Sequence, residues 1–180
     1  MPRYVALLRS INVGGHSVKM DRLRSLFLEL KLDHVETFIA SGNVLFDARS
    51  RSIPILERRI EDHLDAALGY EVATFLRPLG DLAAVTARHP FDALEQRGKG
   101  LYVGFLKSTP SAEQRDTILS YATPLDEFHI HATELYWLCH TRFSDSTVNA
   151  KAMEKSVGMP FTFRNMNTVR SLAAKQTPRS

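Results

Sequence analysis

A single cysteine, Cys139, is all this 180-residue chain has of that residue. That excludes an internal disulfide and suits a reducing compartment. Long hydrophobic runs are missing too, and nothing nears the roughly 20 apolar residues of a membrane-spanning helix. The apolar stretch Tyr4–Leu8 is too short for a secretory signal and runs straight into Arg9. A cytoplasmic protein with no membrane partner is the expectation. Charge of one sign is also scarce: 23 Lys and Arg against 20 Asp and Glu leave +3, with a pI of about 9.1. A mild, dispersed excess permits anionic metabolites or nucleic acid but excludes a histone-like mode. There is no dinucleotide or P-loop fingerprint, and no Ser-His-Asp or Cys-His pattern in a recognisable context.

What the chain does have is an echo of itself. Tyr4-Val5-Ala6-Leu7-Leu8-Arg9-Ser10 returns 98 positions later as Tyr102-Val103-Gly104-Phe105-Leu106-Lys107-Ser108, with four of seven residues identical. The elements after each copy follow the same order. An internal repeat fixes architecture before any other reading. Here it predicts an α+β fold: two tandem ferredoxin-like (RRM-like) βαββαβ units forming one compact protein, plus a C-terminal helix. The expected extents are 1–78 for the first unit, 79–100 for a linking helix and loop, 101–163 for the second, and 164–180 for the last helix and tail.

Periodicity places the elements. In the first unit, strands are predicted over 3–11, 35–39, 44–46 and 71–76. Helices are predicted from about Met20, on the spacing of Leu23, Leu26, Phe27 and Leu30, and over 53–68, with Pro54 in its first turn and Gly69 after it. A linking helix over 81–88 and a loop over 89–100 follow. The second unit should have strands over 101–107, 128–131, 135–140 and 161–163. Its helices should cover 111–121 and 147–157, the latter capped by Ser146 and ended by Gly158. A last helix over 166–175 has Asn165 as its N-cap, and the tail 176–180 should fray. In each unit both helices fall on one sheet face, yet both first strands are apolar on both faces. The second face therefore also needs cover.

Three loop segments are candidate sites. Arg9-Ser10-Ile11-Asn12-Val13-Gly14-Gly15 puts two glycines between a strand and a helix. There, backbone amides, the helix dipole, Arg9 and Lys19 could hold an anion; a plain positive-φ turn explains the same glycines. Ser41-Gly42-Asn43 should lie on the same edge, because strand three runs antiparallel to strand one; these too read equally as turn residues. Phe163-Arg164-Asn165-Met166-Asn167-Thr168 offers donors at a helix start, or simply a cap. His129, His131 and His140 cluster beside Cys139, but converging zinc ligands are not indicated, and Cys139 reads as a small buried apolar residue.

Three segments together, Tyr4-Val5-Ala6-Leu7-Leu8-Arg9-Ser10-Ile11-Asn12-Val13-Gly14-Gly15, Ser41-Gly42-Asn43-Val44 and Arg164-Asn165-Met166-Asn167-Thr168-Val169, resemble the bacterial domain-of-unknown-function family 1697 over nearly the whole chain. The resemblance implies two ferredoxin-like subdomains and no established activity or cofactor. Its motif positions fall on Arg9, Asn12, Gly14, Gly15, Ser41, Gly42, Asn43, Arg164, Asn165, Asn167 and Thr168. The family usually has tryptophan where this chain has Met166: an indole that stacks on a ligand would be lost here, whereas one that only packs is mildly replaced by methionine.

The leading functional expectation is binding of an anionic small molecule, a nucleotide or phosphorylated metabolite, at the edge formed by 12–15 and 41–43. No general base or nucleophile is visible, which counts against a hydrolase. A protein partner or a homodimer joined through sheet faces ranks second. RNA binding ranks third, because the standard mode needs aromatics on an open sheet.

Overall fold

The computed structural model describes residues 1–12, 14–39, 42–92 and 100–176. Ser41 lies outside these residues, as do 93–99 of the expected linking loop and 177–180 of the expected tail. The described chain is α+β, with six α-helices and two four-stranded antiparallel sheets. It divides into two units, residues 1–82 with 175–180, and residues 83–174.

The first unit contains β1 (Arg3–Leu8), α1 (Met20–Glu29), β2 (Asp33–Phe38), β3 (Asn43–Asp47), α2 (Ile53–Leu68) and β4 (Thr74–Pro78). Its sheet runs β2-β3-β1-β4, every neighbour antiparallel. Tyr4, Ala6 and Leu8 of β1 join Leu23, Leu26 and Phe27 of α1 and Leu56, Ile60 and Leu64 of α2 in one core. Fully burying each such leucine or phenylalanine contributes about 1.5–3 kcal/mol. The alternate residues Val5, Leu7, Leu45 and Phe75 are also fully buried, so the sheet is covered on both faces, as its unbroken apolar strands require.

α2 matches its expected span, ended by Gly69 at φ 79°. Elsewhere the boundaries move, each for a local reason. β1 stops at Leu8, short of the expected Ile11, because Ser10 turns into the left-handed region at φ 62°. β2 begins earlier and ends at Phe38: a bulge follows Asp33, with His34 at φ 49°, and Ile39 leaves the strand at φ 58°. Asn43 is not a turn residue but the first residue of β3, opposite Leu7. β4 starts at Thr74 instead of Glu71, because its partner β1 ends at Leu8, which faces Thr74.

The carboxylates of α2 satisfy the edge of this sheet. Glu57 accepts from the Leu76 backbone N–H at 2.9 Å and Glu61 from that of Thr74 at 2.8 Å. One helical turn apart, they meet alternate N–H groups of the edge strand β4, which has no strand beyond it.

The second unit opens with most of α3 (Leu82–Ala87), which follows a 3-10 turn at Leu79–Asp81 and is shorter than the expected 81–88. Then come β5 (Gly100–Leu106), α4 (Ala112–Leu119), β6 (Asp126–His131), β7 (Glu134–Cys139), α5 (Ala150–Val157), β8 (Phe161–Asn165) and α6 (Met166–Ala173). The sheet order is β6-β7-β5-β8. Ile118 of α4 and Met153 and Val157 of α5 pack with Leu106, Leu135, Trp137 and Phe161 on one face. Val103, Phe105 and Leu138 on the other face are fully buried.

Again the boundaries shift. Ser111 is the N-cap of α4, in a reciprocal capping box with Gln114, so the helix starts after it. β6 is longer than expected because pairing extends to Asp126 opposite Cys139, whereas β7 keeps its expected length and is shifted by one residue. α5 is capped by Asn149, not Ser146. The Ser146 hydroxyl donates to Asp126 and accepts from the Val148 N–H, which holds residues 146–149 outside the helix. β8 is a full strand reaching Asn165, whose side chain then caps α6 by accepting from the Asn167 N–H.

Candidate functional site

The expected edge is present in the first unit. The Leu8 N–H donates to the Gly42 carbonyl at 2.8 Å, and Leu7 faces Asn43 across the sheet. The end of β1 and the turn into β3 are therefore direct neighbours. This follows from the antiparallel β1–β3 pairing: the exit of one strand must lie beside the entrance of the other.

The backbone here is unusual. Of the eleven described residues with positive φ, six belong to this edge: Ser10, Asn12, Gly14, Gly15, Ile39 and Gly42. For a β-branched residue such as Ile39, at φ 58°, that conformation is a true outlier. Such strain costs on the order of 1–3 kcal/mol per residue and gathers where function constrains the chain.

The glycines divide into two kinds. A Cβ on Gly42 would meet the Leu8 carbonyl oxygen and the Ile11 Cβ at 3.2 Å, so its absence lets two chain segments approach. Among the described residues, nothing lies within 4 Å of such a carbon on Gly14 or Gly15. What constrains those two positions is their positive φ, and the space above them is open. Asn12 is exposed, and its Oδ1 accepts from the Val18 N–H at 2.6 Å, which folds the loop back toward α1. α1 has no side-chain cap: Lys19 occupies the N-cap position without capping the first-turn amides. Its dipole therefore faces the loop, offset by Asp21 in the first turn.

Arg9 is half-buried, and its N–H donates to the Ala73 carbonyl at 2.9 Å, which places it at this end of the sheet. Asn43 is fully buried, with Nδ2 donating to the Phe38 carbonyl at 3.1 Å, so it braces β3 against the end of β2. Sequence reasoning passed over His16 and Tyr70. Their rings stack with centroids 3.8 Å apart, pinning the loop to the segment after α2, and the Tyr70 hydroxyl is buried without a hydrogen-bond partner among the described residues. No periodic pattern marks either residue; only the return of the chain brings them together.

The remaining motif residues belong to the second unit. Arg164 is 9% exposed on β8, and its Nη1 donates to Thr162 Oγ1 and to the Phe163 carbonyl, both at 2.9 Å. Burial pushes its guanidinium down to about 10, which leaves it charged at neutral pH. Asn165 and Asn167 are exposed, the first occupied as the α6 cap and the second accepting from Arg170 at 3.2 Å. Thr168 is half-buried in the first turn. Met166 is 2% exposed, so in this chain that position packs and presents no surface for stacking.

Three comparisons bear on identity. A solved structure of a conserved bacterial protein from Streptococcus pneumoniae matches with a TM-score of 0.77 at 23% identity, covering 99% of each chain. At that identity the likeness speaks for the fold. A search of curated proteins finds no match. The model of the family described as "Protein of unknown function (DUF1697)" matches residues 1–136. With three quarters of its length under that model, including the glycine loop and the Gly42 turn, the chain belongs to the DUF1697 family.

Proposed function

We propose that the edge formed by Arg9, Asn12, Gly14, Gly15, Ser41, Gly42 and Asn43 binds an anionic small molecule, a nucleotide or phosphorylated metabolite. The observation that carries this reading is the concentration of positive-φ residues at one end of the first sheet, beside an uncapped helix start. Backbone held in sparsely populated conformations beside open space is what a pre-organised anion cradle requires. Arg9 and Lys19 supply counter-charge, and Asn12 fixes the loop.

Calorimetric titration of the full chain with nucleotides and sugar phosphates tests the proposal. Saturable binding that is lost in Arg9→Ala supports it. Affinity unchanged by that substitution removes it.

We further infer that each unit is a ferredoxin-like βαββαβ module and that the chain arose by duplication, over 1–78 and 101–163. The matching strand orders and the matching register of β1 and β5 against β4 and β8 support this. An RRM-type RNA surface is disfavoured by burial of every residue of β7 and of the apolar residues of β1 and β3.

A further inference from the structure

The second unit holds a cationic cleft that plays no part in the loop-edge reading. Its volume is about 560 Å³, and it is lined by Ala84, Ala87, Arg88, His89, Pro90 and His129. α3 supplies the two alanines, the segment after it supplies Arg88, His89 and Pro90, and β6 supplies His129. Strand alternation puts Glu127, His129 and His131 on one face of β6, with His129 and His131 exposed.

Arg88 and Arg115 bring positive charge to this cleft. An Arg88 Nη lies 2.9 Å from His131 Nε2. Arginine can only donate, so this imidazole nitrogen accepts. From α4, Arg115 reaches the same strand, with Nη2 3.5 Å from the Ile130 carbonyl. Burial first, then the charge of Arg88, holds His129 below its ordinary value.

The acids nearby are otherwise engaged. Glu127 is bonded to His140 Nε2 at 2.5 Å. Glu134, opposite His131 in the sheet, accepts from Thr133 Oγ1 at 2.8 Å and is 8% exposed. Tyr136, opposite His129, donates to the Val85 carbonyl at 3.0 Å; burial, followed by the charge of Glu134, raises its hydroxyl to about 12, so it adds no negative charge.

We propose that this cleft is a binding site for a small organic phosphate. The phosphate dianion is held by the guanidinium of Arg88, with Arg115 nearby and the imidazoles of His129 and His131 as hydrogen-bonding groups, and an apolar body rests on Ala84, Ala87 and Pro90. Arginine presents a planar donor fork matched to phosphate oxygens. The apolar wall distinguishes an organic phosphate from the bare ion.

The test is titration of the full chain with phenyl phosphate, followed by NMR of the histidine rings. Saturable shifts of the His129 and His131 resonances are expected, with inorganic phosphate binding more weakly. Arg88→Gln should weaken phenyl phosphate roughly tenfold, the loss of one charge-assisted contact. His129→Gln, at an exposed strand position, should weaken it without disturbing the fold. Arg9→Ala should leave it unchanged, which separates this site from the loop edge. Ring resonances that stay still through the titration overturn the proposal, as does equal affinity in the wild type and both cleft variants.

Discussion

Arg77 and Arg164 hold the same place in their two sheets. Arg77 lies opposite Val5 across β1–β4, and Arg164 lies opposite Val103 across β5–β8. Val5 and Val103 are themselves counterparts in the sequence echo. Each arginine is nearly buried, at 8% and 9% exposure, and each donates from Nη1 to the carbonyl of the residue before it, Leu76 at 2.8 Å and Phe163 at 2.9 Å. Arg164→Ala leaves that carbonyl and Thr162 Oγ1 without this donor and should cost about 2–3 kcal/mol. Arg164→Lys keeps the charge but not the fork, and should recover less than half of the loss. Urea denaturation midpoints read both.

Glu61 and Glu154 form a second such pair. Glu61 of α2 accepts from the N–H of Thr74, and Glu154 of α5 accepts from that of Phe161, at 3.4 Å. Thr74 and Phe161 open the edge strands opposite Leu8 and Leu106. Glu57 adds a second contact in the first unit and is 7% exposed. Glu57→Ala should destabilise by about 1–3 kcal/mol, because it deprives the buried Leu76 N–H of this acceptor. Glu57→Gln, which keeps an acceptor oxygen, should cost less. Thermal unfolding of the two variants makes the comparison.

The two kinds of glycine at the loop edge should separate by mutation. Gly42→Ala meets both a positive φ and contacts at 3.2 Å, and should lose about 2–3 kcal/mol. Gly14→Ala and Gly15→Ala meet only the conformational penalty, about 1–2 kcal/mol. If the edge binds an anion, Gly15→Ala should lose ligand affinity far out of proportion to its stability. Calorimetry set beside thermal unfolding would show this.

Asp126 ties three segments together through its carboxylate. It accepts from Thr123 Oγ1 at 2.7 Å, from Trp137 Nε1 at 2.9 Å and from Ser146 Oγ at 2.9 Å. Burial works to raise its pKa, but the donors Thr123, Trp137, Ser146 and Cys139 together carry it below its ordinary 3.8. A carboxyl lowered in the native state contributes stability above its unfolded value and loses it as pH falls through the native value. Asp126→Asn should therefore be less stable than wild type at pH 7, by about 1–3 kcal/mol. The gap should close below pH 3.8. Trp137, the one tryptophan of the chain, sits in this network and reports unfolding by fluorescence.

The elements were legible because periodicity is a local property. The 3.6-residue stripe of Leu23, Leu26 and Phe27, and the Pro54 and Gly69 that bracket α2, need no tertiary partner to be read. The echo of Tyr4–Ser10 in Tyr102–Ser108 anticipated two sheets with the same strand order. Boundaries were less legible because competing hydrogen bonds set them. Ser146 looks like a cap until Asp126, twenty residues earlier, takes its hydroxyl.

The same division holds at the site. The residues of the glycine loop and the turn, and the expectation that they share an edge, came from motif and strand direction. Only the folded chain decided that Asn43 is a buried brace, that Gly42 is a packing glycine while Gly14 and Gly15 face open space, and that His16 lies on Tyr70. The physical reason is range. Hydrophobic period, capping and turn chemistry act over a few residues and are written in the order of the chain. Burial, close approach and the choice among hydrogen-bond partners are settled by residues tens of positions apart, which meet only when the sheets have formed.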